Sequence, residues 1–134
     1  MQGNRMKYGE SSRKVYYDKY IWQAKQRGLE FSLSREDFYR LTDGKCFYCG
    51  NEPGSEYWST RNSNGLYIHN GIDRLDNNKG YVSGNVVTCC KTCNFIKGTM
   101  GHRDFVEWIK RTYRNLSNKG LTNGVEWFWK DIGK

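Results

Sequence analysis

Five cysteines carry the most specific chemical signal in the sequence, and four of them form two Cys-x-x-Cys pairs. The pairs are Cys46 with Cys49 and Cys90 with Cys93. A Cys-x-x-Cys turn can direct two thiolates at one ion, and two such turns supply the four ligands of a tetrahedral zinc. Gly50 follows the first pair and allows the backbone to curl back toward the metal. About forty residues separate the pairs, so a structural zinc would join two distant segments.

The fifth cysteine, Cys89, falls outside this spacing, and we expect it to be a packed or spare thiol. An odd number of cysteines argues against the disulfide framework of a secreted protein. A redox-active Cys-x-x-Cys site is the alternative to zinc, but two matched pairs are better explained by one shared ion.

The charge and composition favour a nucleic-acid partner. The 134 residues include 22 Lys and Arg against 14 Asp and Glu, which gives a formal charge of +8, and 16% of the residues are aromatic. Lys and Arg neutralise phosphates with release of counterions, although net charge can also serve only to keep a protein soluble. No apolar run approaches the length of a membrane span, and residues 1–14 lack the hydrophobic segment of a signal peptide. Both observations argue against membrane and secreted proteins.

The apolar periodicity and the turn residues predict one domain over residues 1–134, with the cysteine pairs in its central part. We expect a loose N-terminus (1–10), a helical N-terminal part (11–45), a zinc-stapled core (46–100), and a C-terminal helix and tail (101–134). Helices are predicted at 11–27, 34–41, 91–97 and 103–116, strands at 66–75 and 85–88, and a long surface loop at 51–65. Ser34 is expected to cap the second helix, and the aromatic tail around Trp127 to dock onto the body.

The region that ends at the second cysteine pair contains a combined motif. It reads Asn70-Gly71-Ile72-Asp73-Arg74-Leu75-Asp76-Asn77-Asn78-Lys79-Gly80-Tyr81, then Asn85-Val86-Val87, then Cys90-x-x-Cys93-Asn94-x-x-Lys97. This motif resembles the HNH endonucleases, also called ββα-metal or His-Me finger nucleases, and most closely their zinc-stapled branch in phages and mobile elements. The stretches 24–33 and 46–50 also resemble that branch, so the likeness runs from about residue 13 to about residue 113. The resemblance implies an α+β fold, with a small ββα-metal core and a structural zinc flanked by N- and C-terminal helices.

The resemblance also implies an activity, that of an HNH-type endodeoxyribonuclease hydrolysing phosphodiester bonds with Mg²⁺ or Mn²⁺. In related nucleases an acid at the first motif position and an Asn directly after the last Cys hold the ion, and these positions are Asp73 and Asn94. Their oxygen atoms suit a hard divalent ion. The zinc would then fix the helix start bearing Asn94 against the strand bearing Asp73. Taken singly, Asp73 could be a turn acceptor and Asn94 a helix cap.

Three further motif residues have expected roles around this site. Asn85 corresponds to the middle Asn of the family motif, which braces the loop between the strands by hydrogen bonds. Gly80 is expected to supply a positive backbone angle in that loop. Lys97 is expected either to contact the phosphate near the metal or to be a solvated lysine on the helix.

The general base departs from the family pattern. The family usually places His directly after the Asp, but here that position is Arg74, whose guanidinium cannot readily accept a proton. We expect Arg74 to bind the DNA phosphate. Three proton acceptors remain as alternatives. They are Tyr81, His69, and bulk water, which would take the proton when a metal-bound hydroxide forms. Tyr81 lies in the family's Gly-Tyr step, and His69 precedes Asp73 by four residues on the predicted strand.

Basic residues on the predicted helices are expected to follow the DNA backbone without reading its sequence. They are Arg13, Lys14, Lys25, Arg27, Lys110, Arg111 and Arg114. The main alternative is a catalytically inactive zinc-stapled nucleic-acid-binding module, and a protein-interaction zinc domain is the third. We expect a protein of the bacterial cytoplasm encoded by a phage or mobile element. Monomer or homodimer, nicking or double-strand cleavage, and a homing endonuclease, packaging or restriction role all stay open.

Overall fold

The computed structural model of the chain describes residues 7–59 and 64–123. They fall into two compact units, the first ending at Thr99 and the second beginning at Met100. Within the described ranges, no helix is both long and apolar enough to cross a membrane. The predicted docking of the tail around Trp127 lies outside the described residues, and the division of residues 1–134 into one domain with four parts stays a prediction.

The first unit begins with two helices whose bounds are close to those predicted. Helix α1 spans Glu10–Gln26 and helix α2 spans Arg35–Thr42. Ser34 caps α2 as predicted, because its hydroxyl oxygen accepts a hydrogen bond from the Asp37 backbone N–H at 3.1 Å. The two helices supply much of the aromatic core on which the strands pack.

Aromatic rings dominate that core, and Phe38 of α2 lies fully buried at its centre. The ring of Tyr16 on α1 packs 5.7 Å from the ring of Phe38 and 4.0 Å from that of His69, measured between centroids. Two apolar residues of α1 lie outside this core, because Val15 and Ile21 are 37% and 36% exposed. The buried members of the core are Tyr16, Ala24, Leu33, Phe38, Tyr67, Ile72 and Tyr81.

Two antiparallel sheets of two strands each follow the helices. Strand β1 (Ser55–Tyr57) pairs with β2 (Tyr67–His69), and β3 (Gly71–Arg74) pairs with β4 (Val86–Cys89). The prediction of one strand over 66–75 was therefore wrong, since this segment forms β2 and β3. The surface loop predicted at 51–65 was also wrong in part, because it contains β1.

Asn70 explains why the predicted strand divides. Its backbone N–H donates to the Thr42 carbonyl at 2.9 Å, and its side-chain amide donates to the carbonyls of Gly44 and Asn51 at 2.9 and 3.2 Å. These bonds tie Asn70 to the segment after α2 and leave β2 and β3 with different partners. The amide group is thereby satisfied although the residue is buried.

Helix α3 spans Lys91–Lys97, as predicted, and completes a β3–β4–α3 unit. Cys90 precedes this helix and caps it, because its sulfur accepts a hydrogen bond from the Cys93 backbone N–H at 3.4 Å. In the second unit, helix α4 spans His102–Asn118 and buries Phe105. The second cysteine pair therefore sits at the point where the β3–β4 hairpin passes into its helix.

Candidate active site and zinc centre

The four cysteines of the two Cys-x-x-Cys pairs meet at one place. The sulfur atoms of Cys46, Cys49, Cys90 and Cys93 all lie within 4.8 Å of one another, and those of Cys49 and Cys90 are 3.6 Å apart. Zn–S bonds of about 2.3 Å place the sulfurs of a tetrahedral site about 3.8 Å apart. The cluster therefore has the ligand type, number and spacing to hold one zinc ion.

The backbone of the first turn directs its thiols at this place. Gly50 has a φ of 77°, and its N–H donates to the Cys46 carbonyl at 2.9 Å, so the chain curls back as predicted. Burial raises the pKa of the Cys46 thiol, but backbone N–H donors, first among them that of Cys49, outweigh burial and lower the pKa to about 6. A thiol with this pKa is ionised at neutral pH, which suits a metal ligand.

Cys89 lies outside the four-cysteine cluster and is a packed thiol. It is fully buried, and its S–H donates to the Cys90 carbonyl at 3.5 Å. Burial raises the pKa of this thiol, and the negative charge of Asp73 raises it further. Cys89 is therefore a protonated side chain packed beside Asp73.

Asp73 of β3 is held by two side chains from other segments. Its Oδ1 accepts a hydrogen bond from Nζ of Lys97 at 3.2 Å, and its Oδ2 accepts one from the Tyr48 hydroxyl at 3.0 Å. The side chains of Lys97 and Asp73 are 0% and 8% exposed, so they form a buried ion pair. Burial raises the pKa of Tyr48, and the charge of Asp73 raises it further, which keeps the phenol a hydrogen-bond donor.

Lys97 ends α3, so its ion pair joins that helix to β3. The alternative of a solvated helix lysine was wrong, because the side chain is buried against Asp73. A contact between Lys97 and a DNA phosphate stays a prediction. In the structure, the ammonium group of Lys97 is the cationic partner of the Asp73 carboxylate.

Asn94 lies on α3 directly after Cys93 and one helical turn before Lys97. Residues three apart share one face of a helix, so Asn94 lies on the face from which Lys97 reaches Asp73. Asn94 is exposed, whereas Asp73 is buried. The Asp73–Lys97 ion pair joins the two elements that carry the predicted ligands, and joint coordination of a divalent ion by Asp73 and Asn94 stays a prediction.

Arg74 leaves β3 on the face opposite Asp73, because successive side chains of a strand alternate. Its Nη1 donates to the carbonyls of Asn77 and Lys79 at 2.8 and 2.9 Å. Its guanidinium carbon lies 5.7 Å from the ring centroid of Tyr81. In this conformation Arg74 secures the loop between β3 and β4, and its binding of a phosphate stays a prediction.

Asn85 also holds that loop, and it does so from a buried position. Its Oδ1 accepts from the Asp76 N–H at 2.9 Å, and its Nδ2 donates to the carbonyls of Asp76 and Gly80 at 3.1 and 2.9 Å. The expected positive angle at Gly80 was wrong, since this residue has no positive φ. A Cβ at Gly80 would lie 2.8 Å from the Glu30 backbone nitrogen, so the glycine permits two backbone segments to approach closely.

The two side chains considered as proton acceptors are both buried and engaged in the core. The Tyr81 hydroxyl accepts a hydrogen bond from Arg27 at 3.1 Å, and Tyr81 is 8% exposed. The His69 ring packs against Tyr16, and its Nδ1 lies 3.1 Å from a neighbouring backbone carbonyl. Burial lowers the pKa of His69. His69 and Asp73 lie on different strands, and proton transfer to Tyr81 or His69 stays a prediction.

Three of the cations predicted to follow DNA have partners within the protein, and one of them is Lys110 of α4, whose Nζ pairs with Glu107 at 3.4 Å. Arg13 pairs with Asp43 at 3.4 Å and lies 4.0 Å from the ring centroid of Tyr39. Arg27 is bonded to Tyr81. The other members of that set are exposed on α1 and α4: Lys14, Lys25, Arg111 and Arg114.

Tyr48 is the site residue that the sequence interpretation missed. It lies between the cysteines of the first pair, and its only signal in the sequence was that position inside a metal-binding turn. The Phe47 N–H donates to the Thr88 carbonyl at 2.8 Å, which fixes the turn on β4. The hydroxyl of Tyr48 thereby reaches Asp73 on the neighbouring strand.

An antiparallel β3–β4 hairpin followed by α3, whose start carries two of the four clustered cysteines, defines an α+β fold of the HNH type. Among solved structures, the chain is similar to the rare-cutting HNH restriction endonuclease PacI, with a TM-score of 0.56. The alignment covers 91% of this chain and 93% of that chain at 17% identity. At this identity the likeness concerns the fold.

A viral protein is similar in sequence. The chain is 37% identical over 90 residues to the uncharacterized protein R423 of Acanthamoeba polyphaga mimivirus, a match over 67% of this chain. The aligned region spans only 15% of the length of that curated relative. No family model matches the chain. The comparisons establish the type of fold, and neither assigns an activity to this chain.

Proposed function

We propose that the protein is a DNA endonuclease that hydrolyses phosphodiester bonds with one divalent ion, Mg²⁺ or Mn²⁺, held by Asp73 and Asn94. The observation that carries the proposal is the position of Asp73. Its buried carboxylate lies on the β3–β4 hairpin, 3.2 Å from Lys97 of the helix that begins at the cysteine cluster. The HNH fold shared with a restriction endonuclease supports both the activity and DNA as the substrate.

The donor atoms at this place fit a hard divalent ion. Asp73 offers a carboxylate and Asn94 an amide oxygen, which are ligand types that Mg²⁺ takes in proteins, with water or substrate completing the coordination. Each carboxylate oxygen of Asp73 accepts one hydrogen bond, from Lys97 or from Tyr48. A carboxylate has about four acceptor positions, so both oxygens keep capacity for a cation. When bound, the ion would supply Lewis-acid stabilisation of the phosphate and an activated water.

Zinc has a positioning role in this proposal. The turn that contains Tyr48 carries the first cysteine pair, and the helix that ends with Lys97 begins at the second pair. Both side chains that hold the Asp73 carboxylate therefore belong to segments that one zinc ion would join. Zinc would fix the orientation of Asp73 without contacting it.

Arg74 binds a substrate phosphate in this proposal. Its guanidinium now donates to two loop carbonyls, and a phosphate offers charged acceptors that form stronger hydrogen bonds. The proton from the attacking water passes to bulk solvent. Neither side-chain candidate accepts it, because the Tyr81 hydroxyl is hydrogen-bonded to Arg27 and the His69 ring is packed against Tyr16. This assignment requires no side-chain base at the position where the family has His.

A nucleic-acid-binding module without catalysis is the second candidate, and the Asp73–Lys97 ion pair favours it. The buried ammonium group neutralises the carboxylate without a metal ion. Arg74 cannot readily act as a base. This candidate predicts salt-sensitive DNA binding with no metal-dependent products.

The test is incubation of supercoiled plasmid with the zinc-loaded protein across a series of Mg²⁺, Mn²⁺ and Ca²⁺. We expect nicked or linear DNA with Mg²⁺ or Mn²⁺ and intact plasmid when no divalent ion is added. Magnesium is withheld rather than chelated, because a chelator would also remove zinc. Salt-sensitive binding with intact plasmid under every metal would establish the second candidate instead.

Matched variants assign the activity to the site. Asp73→Ala and Asn94→Ala should lose cleavage, whereas Glu56→Ala on β1 and Asn115→Ala on α4 should keep it, because both control residues are exposed. Cleavage by Asp73→Ala at the wild-type rate would overturn the assignment of the site.

A further inference from the structure

A pocket of about 380 Å³ opens on the first unit between α1 and Tyr81. Its floor is formed by Ala24 and Tyr81, which are 1% and 8% exposed. Its rim is accessible, and the indole of Trp22 is 62% exposed. The other rim residues are Gln23, Gln26 and Arg27, and Tyr20 also lines the pocket. A volume of this size is within the range of sites that enclose small organic groups.

The side chains of the pocket define the chemistry of its ligand. Trp22 offers a large exposed π-face, and the amides of Gln23 and Gln26 can both donate and accept hydrogen bonds. Arg27 adds a positive charge, and no carboxylate occurs among the described residues that line the pocket. This combination suits a flat, uncharged ring with a polar edge and an attached anionic group, and it does not suit a metal cation.

The rim residues are spaced so that they can act on one ring. Trp22 and Gln26 are four residues apart on α1 and therefore lie on the same side of the helix. Gln23 and Gln26 are three residues apart and are also neighbours on its surface. A ring stacked on the indole would therefore present its edge to amide groups.

The pocket adjoins the loop that follows the candidate active site. The Tyr81 hydroxyl accepts a hydrogen bond from Arg27 at 3.1 Å, and the guanidinium of Arg74 lies 5.7 Å from the Tyr81 ring centroid. Arg74 directly follows Asp73 on β3. One aromatic ring thus separates Arg27 at the pocket from Arg74, the proposed phosphate ligand, and a polynucleotide backbone could contact both.

We propose that this pocket binds the base of an unpaired nucleotide in the DNA substrate. The base stacks on Trp22, its edge bonds to Gln23 and Gln26, and its phosphate lies toward Arg27. The proposal rests on DNA as the partner in the proposed function and adds a preference for DNA with an accessible base. A base held inside a duplex cannot reach such a pocket without leaving its stack.

The test uses a short single-stranded oligonucleotide with one central 2-aminopurine, in buffer without added divalent ion so that the DNA is not cut. Stacking of this fluorescent base on the indole should quench its emission. Trp22→Ala should abolish the quenching and weaken binding about 5- to 150-fold, the range for one stacked base. Trp58→Ala is the matched control, because Trp58 is 53% exposed and lies outside the pocket.

The outcomes separate this proposal from the proposed nuclease. Gln26→Ala should weaken single-strand binding as well, and binding of a fully paired duplex should change less than twofold in both pocket variants. Equal affinity and equal quenching for Trp22→Ala and Trp58→Ala would overturn the pocket proposal, even if plasmid is cleaved. Loss of quenching only in Trp22→Ala would support the pocket, even if plasmid stays intact with every metal.

Discussion

The ammonium nitrogen of Lys97 lies 3.2 Å from Oδ1 of Asp73, and both side chains are buried. This pair connects the last residue of α3 with the penultimate residue of β3. Two charges removed from water are stable only while each has its partner. The same contact therefore supports the fold and positions the carboxylate to which the proposed metal would bind.

Removal of one partner should destabilise the protein strongly. Lys97→Met keeps the length and the apolar stem of the side chain but leaves the Asp73 carboxylate buried without its cation. We expect a loss of about 3–5 kcal/mol in the free energy of unfolding, the usual cost of breaking a buried pair from one side. Urea unfolding of the zinc-loaded protein, followed by circular dichroism, measures it.

The matched control removes both charges. Lys97→Met combined with Asp73→Asn should recover at least half of the lost stability, because no unpaired charge is left and Tyr48 can still donate to the amide oxygen. A loss below about 1 kcal/mol in the free energy of unfolding for Lys97→Met alone would contradict the prediction, because it would mean that solvent reaches the Asp73 carboxylate.

Zinc binding should depend on the four clustered cysteines and not on Cys89. We expect about one zinc ion per chain in the wild type, and loss of both the metal and cooperative unfolding in Cys93→Ser, because structural zinc contributes directly to folding. Cys89→Ala should keep its zinc, since the sulfur of Cys89 is not one of the four clustered sulfurs. Elemental analysis with thermal unfolding measures both, and a folded, zinc-free Cys93→Ser protein would refute the zinc staple.

Protonation of His69 should lower the free energy of unfolding as the pH falls below neutrality. Burial lowers the pKa of the folded His69 below its ordinary value of 6.5, and the charge of Lys19 lowers it further. The unfolded chain therefore binds a proton first as the pH falls, so stability present above pH 6.5 is lost progressively below it.

A variant isolates this effect from the titration of other groups. His69→Phe keeps an aromatic ring against Tyr16 and removes the ionisation. Between pH 7.5 and 5.5, the urea midpoint of the wild type should fall further than that of the variant, whereas protonation of the cysteine cluster affects both proteins. Parallel pH profiles for the wild type and His69→Phe would contradict the prediction, because they would mean that folding does not lower the pKa of His69.

Local chemistry allowed several features to be predicted from the sequence. A Cys-x-x-Cys turn fixes its own geometry, so the meeting of Cys46 and Cys49 with the second pair followed from spacing and ligand type. Ser34 likewise caps a helix through a bond to a residue three positions later. The limits of α3 were also predicted correctly, and the structure shows the local reasons: Cys90 caps the start of the helix and Gly98 follows its end.

The features that could not be predicted depend on contacts between distant residues. The division of the strand at Asn70 requires acceptors in the segments after α2 and before β1. The burial of Lys97 depends on Asp73, which lies 24 residues earlier, and nothing in the helix pattern distinguishes it from a solvated lysine. Tyr48 contacts Asp73 only because its turn is fixed on β4.

The initial rate of plasmid nicking by Asp73→Asn at saturating Mg²⁺ tests the central claim most directly. The substitution keeps the shape of the side chain and the acceptor for Tyr48 but removes the negative charge that would hold the ion. Because it also leaves Lys97 without its anion, the rate is measured at a temperature at which circular dichroism shows the variant to be folded. The account predicts a rate at least about a hundredfold below wild type, with Glu56→Gln unchanged and zinc content equal in all three proteins. Metal-dependent nicking by Asp73→Asn within about threefold of the wild-type rate would contradict the assignment of Asp73 as a metal ligand.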